Sequence, residues 1–165
     1  MVLHPHLASH LRSGQVSKVV YGSIIGLALI LTMEAHPPRL FVVIATLLST
    51  ALAIALAEVY AEGLGARARA SAGGSTEPMR VIVTDSAAVA FGIASPSVFF
   101  VVAALGLVEY DTAFTLAKWT GLGIIAGYGY LASRLAGAGR WAALLEAAIV
   151  AMIAALLIVL KALVH

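Results

Sequence analysis

The chain has 165 residues, of which 62% are hydrophobic and only 11% are Asp, Glu, Lys or Arg, against about 45–50% and about 25% in a soluble domain. With a mean hydropathy of +1.03 there is too little polar surface to cover a globule, which excludes an ordinary water-soluble fold and points to an all-α integral membrane protein of one domain. The formal charge of +2 is spread along the chain and reads as membrane orientation rather than nucleic-acid binding, while the absence of Cys removes disulfides, thiolate metal sites and cysteine nucleophiles.

The first 18 residues, MVLHPHLASHLRSGQVSK, are polar and carry no apolar run followed by a small-residue cleavage site, so no cleaved signal peptide is expected. Val19 to Met33 is uncharged, and the first span is expected over 13–35. His36, Pro37, Pro38 and Arg39 make a short turn, because a proline pair cannot continue a helix. Spans 1 and 2 are therefore expected to be antiparallel neighbours. The second span is expected over 40–62 and to stop at Gly63 and Gly65, leaving GLGARARASAGGSTEPMR, residues 63–80, as the one substantial loop. The third span, 82–108, holds Pro96 near its middle, where a missing backbone donor predicts a kink. Spans at 112–135 and 140–164 follow, joined by the small turn at Gly137 and Gly139.

Five spans place the termini on opposite sides. Arg12, Lys18, Arg67, Arg69, Arg80, Arg134 and Arg140 fall on the N-terminal side, against Arg39 and Lys161 on the other. The positive-inside rule then puts the N-terminus in the cytoplasm and the C-terminus outside. Gly22 and Gly26 in span 1, and Gly123 and Gly127 in span 4, are four apart and predict close backbone contact between helices.

Ionisable residues at membrane depth are costly and often mark a pathway. Glu58 and Glu62 lie one turn apart at the inner end of span 2, Asp85 at the inner start of span 3, and Glu146 inside Trp141 on span 5. Ser23 and Tyr21 of span 1 and Tyr128, Tyr130 and Arg134 of span 4 fall at similar depth. Hard divalent cations take several oxygen ligands, so one reading is a cation or proton site at the cytoplasmic mouth. The other is an internal salt network in which Arg80, Arg134 and Arg140 neutralise the acids. On the outer side Lys118 reads either as a partner of Asp111, Glu109 or Glu34 or as a lysine that snorkels to the headgroups. His4, His6 and His10 read as part of a mobile tail, with binding of a soft metal as the alternative. GxSxG, HExxH and phosphate-loop motifs are absent from the sequence, which gives no sign of an enzyme or of a resident cofactor.

The segment AIALAEVYAEGLG around Glu58 and Tyr60, the stretch DSAAVAFGIASPSVFFVVAALGLV with its mid-span proline, and two last helices joined by RLAGAGR resemble the vacuolar iron transporter family. The resemblance implies a five-span, N-terminus-inside homodimer that exchanges Fe²⁺ or Mn²⁺ for protons, and it carries Glu58 over as a functional residue. Two features depart from the family. Ile25 stands where the first-helix Gly-x-x-Asp-Gly pattern has its aspartate, and the loop after span 2 lacks the family's glutamate- and methionine-rich metal-binding domain. The sequence therefore yields a membrane transporter of divalent cations, or a divergent relative, as the first expectation, with the plasma membrane of a prokaryote as its location. A non-transporting scaffold or partner subunit and a small oligomeric channel are the alternatives.

Overall fold

A computed structural model describes residues 13–74, 78–135, 137–145 and 147–149, with Met152 and Leu156. The polar N-terminal histidines, Glu146 and most of the expected fifth span lie outside the described residues. Among the described residues these helices follow in chain order: α1 (Ser13–Ala35), α2 (Leu40–Ser71), α3 (Met79–Ala94), α4 (Ser97–Ala104) and α5 (Tyr110–Leu135). Residues 140–145 and 147–149 are also helical, and no strand is present among the described residues. Among these residues two helices, α1 and α2, are long and apolar enough to cross a membrane, and the bent pair α3 and α4 makes a third if it counts as one span.

The helix boundaries follow local chemistry. α1 stops before the Pro37–Pro38 pair, and α2 starts as Val42 N–H donates to the Arg39 carbonyl at 2.8 Å. The expected stop of α2 at Gly63 is corrected. The helix runs nine residues further, because a glycine costs only about 1 kcal/mol inside a helix and the following Ala-Arg-Ala-Arg-Ala run is strongly helix-forming. It ends where a left-handed residue is needed: Gly73 has φ +76°, and Gly74 N–H returns to the Arg69 carbonyl at 2.9 Å. The loop is thus confined between Ser71 and Met79. At Ser95–Pro96 the third segment bends by 48°, since the proline can donate no hydrogen bond back along α3.

The packing order differs from the expected one. α1 is the central helix and lies along α3 and α5, while α2 packs mainly on α3 and touches α1 only sparingly. Spans 1 and 2 are antiparallel as expected, joined by Lys18–Glu58 and by Ile30 against Val43 and Leu47, but each packs more extensively on α3 than on the other. The reason is the contact that α3 makes with α1: a methyl group built on Gly22 would stand 2.1 Å from the Val89 carbonyl oxygen, and one on Gly92 would stand 2.6 Å from Ser23 N and Val19 O. Only bare backbone fits there, so α3 approaches α1 more closely than α2 does. Gly26 continues the contact, 3.1 Å from the Ile93 carbonyl by the same measure. Gly123 and Gly127, in contrast, meet nothing within 4 Å among the described residues.

The core divides along α1. Near its C-terminal end Ile30 packs with Val43, Leu47, Phe100, Ala113, Phe114 and Ala117. Phe100 and Phe114 meet edge to face at 4.9 Å, and Tyr110 O–H donates to the Pro38 carbonyl at 2.5 Å, pinning the start of α5 to the turn after α1. Deeper in, Ile25 and Leu29 pack against Ala51, Val89 and Ile93, while Leu27 meets Ile125.

Candidate functional site

Two ion pairs fasten α1 to its neighbours at opposite ends. At the N-terminal end Lys18 Nζ donates to Glu58 Oε1 of α2. At the other end Lys118 Nζ of α5 donates to Glu34 Oε1 at 2.6 Å, which selects one of the three acids the sequence offered. Lys18 and Glu34 are 16 residues apart, roughly 24 Å along the helix axis. The 15 residues between them carry no charge, so the pairs bracket a stretch close to the hydrocarbon thickness of a bilayer.

The Lys18–Glu58 pair is the centre of the candidate site. The two side chains are 26% and 18% exposed, so the carboxylate is largely removed from solvent. Its second oxygen, Oε2, is buried and has no hydrogen-bond partner among the described residues. Glu62 and Asp85 lie close enough to act electrostatically on the same ammonium. Glu62 also faces Arg69 at 3.9 Å, with both side chains about half exposed, a pair worth little in so open a setting. Of the four expected acids only Glu58 pairs with Lys18, and Glu62 and Asp85 act on it more weakly and without contact. They do not chelate one another: among the described residues no three His, Asp or Glu side chains are grouped to hold a metal ion.

Lys18 is the residue that sequence reasoning misses, since the sequence marks it only as one of the basic residues on the N-terminal side and offers Arg80, Arg134 and Arg140 to neutralise the acids. A signal existed. Lys18 precedes the end of α1 by 17 residues and Glu58 follows the start of α2 by 18, so in helices joined by a short turn both sit about 26 Å from that turn. Arg134 instead donates to the Ala138 carbonyl at 2.9 Å and closes the turn after α5. No acidic partner for Arg80, Arg134 or Arg140 is found among the described residues.

The other singled-out residues take structural places. Ser23 is 2% exposed at the α1–α3 crossing, and its Oγ has no partner among the described residues. Gly22 and Gly26 form that crossing, with Gly92 as the third member that spacing within one helix did not disclose. Pro96 is buried at the α3–α4 break, where Ser95 Oγ donates to the Gly92 carbonyl at 3.1 Å. Tyr128 is half-buried on α5. Ile25 is packed into the apolar cluster of α1, α2 and α3. No protein-family model, no curated protein and no solved structure matches this chain.

Proposed function

We propose that the chain is a five-span, N-terminus-inside membrane transporter of divalent cations, Fe²⁺ or Mn²⁺ in exchange for protons, working as a homodimer in the manner of the vacuolar iron transporter family or as a divergent relative of it. The observation that carries the reading is Glu58: a largely buried carboxylate at the edge of the uncharged stretch, with one oxygen on Lys18 and the other buried without a partner among the described residues. Such a group is costly to keep for structure alone, and its free oxygen is available to a proton or cation. An arriving cation competes with the Lys18 ammonium for Glu58, drawn there by the negative potential of Glu62 and Asp85. Its onward path runs toward the Pro96 bend, where helix continuity is already broken.

A second reading is favoured by two specific observations. Lys18 already neutralises Glu58, and Ile25 removes the acid that the family places on the first helix. Both fit a non-transporting scaffold in which the pair sets helix register. Uptake into proteoliposomes separates the two. For a transporter, Fe²⁺- or Mn²⁺-driven flux above empty vesicles is expected, with Glu58→Gln lowering it about tenfold or more while the protein still reconstitutes. Flux equal to that of empty vesicles, together with a Glu58→Gln variant altered only in stability, would falsify transport.

A further inference from the structure

A groove of about 210 Å³ lies where α2 passes the start of α3, lined by Val59, Tyr60, Gly63, Leu64, Arg67 and Met79. Its lining is sorted by position along α2. Tyr60 is 20 residues from Leu40, about 30 Å along the axis, which is the thickness of the hydrocarbon layer. Arg67 is one full turn and more beyond that, at roughly 40 Å, where headgroups lie. The groove therefore has an apolar half at the hydrocarbon boundary and a cationic half at headgroup level.

Three further observations bear on its occupant. Leu48, Leu52, Leu56, Tyr60 and Leu64 recur every four residues on α2 and are all exposed, so an apolar stripe leads directly into the groove. Arg67 forms no ion pair among the described residues, whereas its helix neighbour Arg69 faces Glu62. Arg80 is exposed one residue beyond Met79; with Lys18 and Glu58 cancelling as a pair, Arg67, Arg69 and Arg80 exceed Glu62 and Asp85 by one charge at this end of the described molecule.

We propose that the groove seats an anionic phospholipid, its phosphate on the Arg67 guanidinium and its first acyl methylenes along Tyr60, Leu64 and Met79. One guanidinium amid apolar walls is too few donors to hold a small free anion from water, so the lining calls for a ligand with an apolar chain as well as a phosphate. The surplus of arginine favours a lipid with net negative charge over a zwitterionic one. The inference does not depend on transport, because it uses neither Glu58 nor Lys18.

Native mass spectrometry of the full chain, released from vesicles of equal phosphatidylglycerol and phosphatidylcholine, tests it. One retained phosphatidylglycerol per chain is expected, in preference to phosphatidylcholine. Arg67→Gln should lower that occupancy about tenfold, the worth of one charge-assisted contact. Leu64→Asp, which leaves the arginine in place but sets a negative charge in the groove, should lower it comparably, and Arg39→Gln at the opposite end should not. Equal retention of both lipids, unchanged retention in Arg67→Gln, or displacement of the lipid by millimolar inorganic phosphate would each overturn the proposal, the last by showing a small-anion site instead.

Discussion

Glycines of identical spacing do different work in this chain, and the difference is set by what faces them. Gly22 and Gly26 press against backbone of α3, where a methyl on Gly22 would penetrate the Val89 carbonyl. Gly123 and Gly127 face open space among the described residues. Gly22→Ala is therefore expected to lose about 1–3 kcal/mol, because the obstacle is backbone and cannot rotate away. Gly123→Ala should gain about 0.5–1 kcal/mol from helix propensity. Thermal unfolding in detergent reads both: a fall in Tm for the first and a rise for the second. Matching losses at the two positions would show that α5 uses its glycines for packing after all. The same contrast explains what the sequence could disclose. A four-residue spacing of glycines was visible, but whether a partner backbone lies opposite depends on Gly92, some 70 residues away in the chain, and on no local feature.

Helix ends depend on where the backbone must turn left-handed, and composition alone misplaces them. Gly63 and Gly65 look like a stop followed by a loop, yet α2 continues to Ser71 and the φ of +76° falls at Gly73. The two glycines therefore respond oppositely to a methyl group. Gly63 has no neighbour within 4 Å, so Gly63→Ala should stabilise α2 by about 0.5–1 kcal/mol. Gly73→Ala should cost about 1 kcal/mol or more, since an L-residue pays for the left-handed conformation. Paired Tm measurements in detergent check the signs, and a Gly63→Ala variant that gains nothing would return residues 63–71 to a loop. Where a signal was steric and local it was legible: Pro37–Pro38 ends α1, and Pro96 breaks the third segment. The candidate site was legible in part. Depth along the helices brings Glu58, Glu62 and Asp85 to one level, but the choice of Lys18 as the partner of Glu58 requires knowing that α1, not α5, presents a base there.

The two ion pairs on α1 bear on the topology of the whole molecule. By composition α5 is not apolar enough to count as a crossing helix, and Lys118 is a chief reason, since a lone lysine at membrane depth costs about 2.5–3.5 kcal/mol. Lys118 is not alone, however: its ammonium lies 2.6 Å from the Glu34 carboxylate, with the two side chains 26% and 35% exposed. Pairing of this kind lowers the cost that both charges would carry if α5 lay beside α1 in the membrane. Its 26 residues give about 39 Å, more than the hydrocarbon layer requires. A cysteine-free chain allows a direct check, because each introduced thiol reports alone. Ala72, Leu107 and Gly139 are exposed at three successive connections. If both the bent α3–α4 pair and α5 cross, Ala72→Cys and Gly139→Cys are labelled by a membrane-impermeant maleimide from one side of a sealed vesicle, and Leu107→Cys from the other. Labelling of Leu107→Cys and Gly139→Cys from the same side would show that α5 lies on the membrane or within it without crossing, and the count of spans would drop with it. Adding Lys118→Met to the Gly139→Cys chain sharpens the outcome: it leaves Glu34 unpaired, so the labelled side should hold while Tm falls.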